Sequence, residues 1–176
     1  MDKKTKKLLI KIMRIIAILV LLFAVFKGVF VLLVLMLLSL SMSYFVNKLQ
    51  LRNFGIELVT LIAVLTGMKY GPWTALGITF ILILYHLAAG GFFGPYWFWV
   101  IPSYCLAGVI AGFFPVANVA TLGMYVTIGI NIVSTLFTGI TSPTFLPKYL
   151  PFVISNVIFN ILLFNLVGNV LLLLLI

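Results

Sequence analysis

The chain has 176 residues, 65% of them apolar and only 7% charged, against about 45–50% and about 25% in a soluble domain. Polar residues are too few to coat a water-facing surface, which excludes a soluble fold and makes the bilayer the solvent for one transmembrane domain over 1–176. The net charge of +9 is no nucleic-acid footprint, because six of the eleven cationic residues (Lys3, Lys4, Lys6, Lys7, Lys11 and Arg14) fall in the first fourteen positions. That asymmetry is the positive-inside signal and suits anionic lipid.

In chain order, the basic stretch 1–11 predicts a cytoplasmic N-terminal segment. No small-residue cleavage site follows it, so a retained anchor is expected rather than a cleaved signal peptide. The apolar runs Ile12 to Phe26 and Val29 to Val46 flank Lys27-Gly28. They predict either a hairpin of two short helices or one long helix whose lysine snorkels to a headgroup. A third run, Gly55 to Met68, ends at the turn signal Lys69-Tyr70-Gly71-Pro72. A fourth, Trp73 to Ala89, closes at Gly90-Gly91, and the aromatic loop 92–99 belongs at a membrane–water interface.

The fifth run, Val100 to Phe114, carries Pro102 in its first turn, where a missing N–H costs least. The sixth covers Asn118 to Ile140. The last, Tyr149 to Ile176, would be about 42 Å long as a straight helix, so it must tilt or break, with Gly168-Asn169 the expected place. The predicted fold is a compact all-α bundle of six to seven transmembrane helices. Seven crossings place nine cations inside against two outside; six result if one of the runs is interfacial.

Few residues carry chemistry. Glu57 is the sole glutamate. At the start of a helix it reads most simply as an interfacial carboxylate stabilised by the helix dipole and paired with Arg52, and alternatively as a cation ligand or proton carrier. His86 and Cys105 are each unique. They offer no metal-ligand spacing and no disulfide, so no metal, no cofactor and no enzyme activity are expected. Cys105 reads as a small core residue.

Asn156 and Asn160 share one helix face, and Asn165 and Asn169 share another about 180° away at 100° per residue. One pair is expected to face the protein interior and the other to need a second helix, a partner or the interface. Tyr70, Trp73, His86, Trp97, Trp99, Tyr104, Asn131, Asn156 and Asn160 are the candidate lining of a pocket for a small, uncharged or ring-containing solute. Ala107 and Ala111, four apart and beside Gly108 and Gly112, allow close backbone approach. With Asn165 and Asn169 they are the candidates for docking another membrane subunit.

The stretches Phe54-Gly55-Ile56-Glu57-Leu58-Val59 and Gly67-Met68-Lys69-Tyr70-Gly71-Pro72-Trp73-Thr74-Ala75-Leu76-Gly77, with Leu150-Pro151-Phe152 through Asn156 and Asn160, resemble the substrate-binding S-components of energy-coupling-factor vitamin transporters. They are similar also to the MreD-like membrane proteins. The resemblance covers about two-thirds of the chain. It implies a six-helix fold, a solute pocket near the extracellular face and docking onto a membrane-embedded coupling subunit. The sequence departs from that pattern in having one apolar run more, and Ala17 and Ala24 stand seven apart rather than four. The expected role is a multi-pass solute-binding subunit of the cell membrane; the alternative is a non-catalytic scaffold of the MreD-like kind.

Overall fold

The computed structural model describes residues 3–49, 51, 54–91 and 94–175. Among the described residues seven α-helices follow one another: α1 Lys3–Lys48, α2 Val59–Tyr70, α3 Pro72–Ala89, α4 Trp97–Phe113, α5 Val119–Thr141, α6 Leu146–Leu163 and α7 Asn169–Leu175. Among the described residues there are no strands. Four stretches of the described residues are long and apolar enough to cross a membrane: Phe26–Lys48, Pro72–Ala89, Val119–Thr141 and Pro143–Leu175. Helices α2 and α4, with 12 and 17 residues, are apolar but shorter.

The first two apolar runs form one helix rather than a hairpin. Glycine inside a helix costs only about 1 kcal/mol relative to alanine, and Lys27 has a long stem that keeps its charge clear of the apolar flank. Gly28 is moreover a contact point, lying against the Tyr70 hydroxyl and the Leu175 backbone at one end of the bundle. Beyond it, Leu32, Leu35, Ser39, Ser43 and Val46 are buried, a 3–4 spacing that turns a single stripe toward the other helices. Before it, Ile12, Ile15, Ile16, Ile18, Val20 and Leu21 are exposed. The 46-residue α1 would be about 69 Å long, more than twice the hydrocarbon thickness.

Helix α2 is the centre. All ten residues from Val59 to Met68 are buried, as expected of a short helix that is apolar on every side. Its neighbours approach closely because the contacts are small. Gly67 faces the Gly108 carbonyl and Ala111 of α4, Gly108 faces Ala75 and Thr79 of α3, and Gly112 sits on the Pro72 ring. Ala107 and Ala111, expected on a docking face, are therefore buried inside the fold, where a partner subunit cannot reach them. Cys105 is buried as well.

The α2–α3 turn is made by Gly71, whose φ of 87° favours a residue without Cβ, followed by Pro72 at the first helical position. Asn118 caps α5 by accepting the Thr121 N–H at 3.0 Å. The last run does not break at Gly168-Asn169. It passes through a π-helical turn, Phe164–Gly168, into α7. The wider turn places the fully buried Phe164 ring against Gly123 of α5.

Candidate functional site

Because the helices alternate in direction, one end of the bundle collects the C-termini of α1, α3 and α5 with the N-termini of α2, α4 and α6. A cavity of about 160 Å³ opens at this end between α3, α4, α5 and α6. Its walls are aromatic, with Tyr96, Trp99, Tyr149 and Phe152 among the lining residues, and Lys148 lies at its rim. Farther in are His86, Tyr104 and Asn131. Tyr104 lies five residues beyond Trp99 along α4, about 7.5 Å deeper at 1.5 Å per residue. A larger groove between α4 and α5 is almost wholly apolar in its lining and lacks the converging polar groups that mark a specific site.

Behind the deep end lies a buried polar network centred on Glu57, which is 1% exposed. The chain leading into α2 is pinned to α6. The Gly55 N–H donates to Ser155 Oγ at 2.9 Å, and the Asn156 amide donates to the Gly55 carbonyl at 2.8 Å. A side chain at position 55 would collide with Asn156 and Phe152, so glycine is what permits this approach. Glu57 then turns back over the start of α2. Its Oε2 accepts the Thr60 N–H at 2.9 Å and its Oε1 accepts the Thr60 hydroxyl at 2.6 Å. The Nδ2 groups of Asn160 and Asn156 donate to Oε1 at 3.0 and 3.3 Å. All four of these bonds come from neutral donors, and the first turn of α2 adds its partial positive charge.

The network continues toward the cavity. Asn131 Nδ2 donates to Asn156 Oδ1 at 2.8 Å and to the Thr127 carbonyl at 2.9 Å. Tyr104, buried on the cavity lining, lies beside Thr60 and Asn156. His86 Nδ1 lies 2.8 Å from Ser43 Oγ of α1.

No family model, curated protein or solved structure matches this chain.

Of the residues singled out in the sequence, His86, Trp99, Tyr104 and Asn131 line the cavity, and Asn156 and Asn160 lie buried behind it. Tyr70 and Trp73 do not join them. They sit at the opposite end of the bundle, where Trp73 is 79% exposed. Trp97 packs half-buried on the apolar core and is not part of the lining. Glu57 is not the interfacial residue its position suggested, since four donors enclose it away from any surface. Its expected pairing with Arg52 falls outside the described residues, as do positions 92–93 of the aromatic loop.

Asn165 and Asn169 are exposed, on a different side from the buried pair, and Asn165 Nδ2 donates back to the Ile161 carbonyl at 2.8 Å. Residues not singled out from the sequence are Thr60, Tyr96, Tyr149 and Phe152. A signal for two of them existed: Tyr149, Phe152, Asn156 and Asn160 recur at 3–4–4 spacing, one continuous helix face.

Proposed function

We propose that this protein is the membrane-embedded solute-binding subunit of a small-molecule transporter, taking a compact, ring-bearing, vitamin-like solute into the cavity between α3, α4, α5 and α6. The observation that carries the reading is the cavity's composition: aromatic walls that suit a ring face, over a floor with the Tyr104 phenol and an amide, Asn131, held through Asn156 by a carboxylate. Aromatic walls with a few converging polar groups are the usual build of small-molecule sites. The resemblance to vitamin-transporter S-components points the same way. A thermal-shift screen of the detergent-purified protein against ring-bearing vitamins tests it. A solute at a hundred times its Kd stabilises by about 2.7 kcal/mol, enough to raise Tm by several degrees; a screen in which nothing moves Tm overturns the reading.

The same reading places six crossings in the cell membrane, with Phe26–Lys48 as the first and the N-terminal part of the same helix toward the cytoplasmic side. The basic N-terminus then sits among anionic headgroups. Lys27 and Lys69 share that side with the six N-terminal cations, while Lys48, Arg52 and Lys148 lie opposite, eight against three in favour of a cytoplasmic N-terminus. The cavity therefore opens outward. In a Cys105→Ala background, Lys48→Cys and Lys148→Cys are expected to react with a membrane-impermeant maleimide added to intact cells, and Lys69→Cys to stay unlabelled. The reverse pattern would mean that the first run crosses back and that the cavity faces the cytoplasm.

A second reading, a membrane scaffold, rests on Asn165 and Asn169, two amides on an outer apolar face where hydrogen-bonding a partner helix is favourable. Copurification at fixed stoichiometry that is lost on Asn165→Leu and Asn169→Leu replacement would support it. A complex indifferent to both changes would remove its basis.

A further inference from the structure

From the direction of each hydrogen bond around Glu57 we infer that the cavity selects a ring-bearing solute that enters with an N–H donor leading, because Asn131, on the cavity floor, presents only an acceptor. This rests on the solute-binding reading above and names the class of solute. Two backbone carbonyls, which accept and never donate, fix the orientation of the amides. The Gly55 carbonyl takes one Asn156 amide hydrogen and Glu57 takes the other, leaving Asn156 Oδ1 to accept. The Thr127 carbonyl takes one Asn131 amide hydrogen and Asn156 Oδ1 takes the other. Asn131, on the cavity lining, thus has only its carbonyl oxygen left to present.

Through Asn156 the Glu57 carboxylate thus orients Asn131 so that its acceptor end faces the solute, although Glu57 does not itself line the cavity. The unpartnered Nε1 of Trp99, nearer the rim, and the Lys148 ammonium at the rim have the opposite polarity. Acceptor or anionic groups of the solute accordingly belong at its trailing end.

A site built to bond an N–H rejects an analogue lacking it, because the buried acceptors are then left unpaired. The test uses two rings of nearly equal size and shape, indole with an N–H and benzofuran with an ether oxygen, titrated calorimetrically into the detergent-purified full chain. Indole is expected to bind at least about tenfold more tightly, the ratio that one such bond supports. Asn131→Leu, which removes one acceptor and leaves Glu57 in place, is expected to shrink that ratio severalfold, and Glu57→Gln to shrink it by loosening the amide order. Equal or tighter binding of benzofuran by the wild-type chain overturns the inference while leaving the cavity a solute site. Binding of neither ring overturns the inference together with the reading on which it rests.

Discussion

Glu57→Ala is expected to destabilise the protein by about 3–5 kcal/mol, because it strands several buried donors that the carboxylate now bonds. The carboxylate receives the Thr60 N–H, the Thr60 hydroxyl and amide hydrogens from Asn156 and Asn160. Only the hydroxyl is free to rotate toward another acceptor. The other three donors would be left buried and unbonded, at about 1–3 kcal/mol each before any water enters. Glu57→Gln keeps the volume and one acceptor oxygen, and should cost less than the alanine. The measurement is thermal or SDS-induced unfolding of the purified protein in mild detergent. It also separates two pictures of this residue. A carboxylate at an exposed helix N-terminus contributes only about 0.3–1 kcal/mol through the dipole, so a loss that small would return Glu57 to the interface and dismantle the network described here.

The contrast between those pictures shows how much of the fold the sequence carried. Apolar runs and their turn signals located α2 to α5 and the start of α6 to within a few residues, because Gly71-Pro72, Gly90-Gly91 and Pro115 each interrupt a run where no side chain competes with the backbone signal. The opposed faces of the two asparagine pairs followed from the helical repeat alone, and one pair lies buried while the other is exposed. Lys27-Gly28 misled in one respect: it has the composition of a turn, yet it continues a helix, because the tertiary contact of Gly28 with Tyr70 and Leu175 is invisible in a local window. The surroundings of Glu57 are hidden for the same reason. Its donors come from 99 and 103 residues downstream, and no periodicity within α2 announces them.

The candidate site was legible only where polar residues recur on one face of an apolar helix. On α5 the buried residues Thr127, Asn131, Ser134 and Thr138 follow a 4–3–4 spacing, and α6 carries its own polar and aromatic face opposite. Aromatic residues gave no such direction. Trp73 and Trp99 have equal claim to a pocket by residue type, yet one is exposed at the far end of the bundle and the other lines the cavity. A tryptophan near a helix end suits a headgroup region as well as a solute, and composition cannot separate the two.

Small residues raise the last contrast, since a glycine in an apolar helix is either a close-packing point or an indifferent position. Gly67 and Gly77 decide between these meanings. A Cβ at Gly67 would meet the Gly108 carbonyl oxygen, the Gly112 nitrogen at 2.9 Å and the Ala111 Cβ at 3.0 Å. Two of those three atoms are backbone of α4 and cannot swing aside as a flexible side chain would. At Gly77 a Cβ would meet nothing within 4 Å. Gly67→Ala is therefore expected to cost about 1–3 kcal/mol, as overpacking does, even though alanine gains about 1 kcal/mol of helix propensity. Gly77→Ala has that propensity gain without the clash and should raise stability by up to about 1 kcal/mol. Unfolding of the two variants side by side in the same detergent checks the pair. If Gly67→Ala were as stable as Gly77→Ala, α2 and α4 could not pack as closely as described, and the end of α2 that holds Glu57 behind the cavity would lose its support.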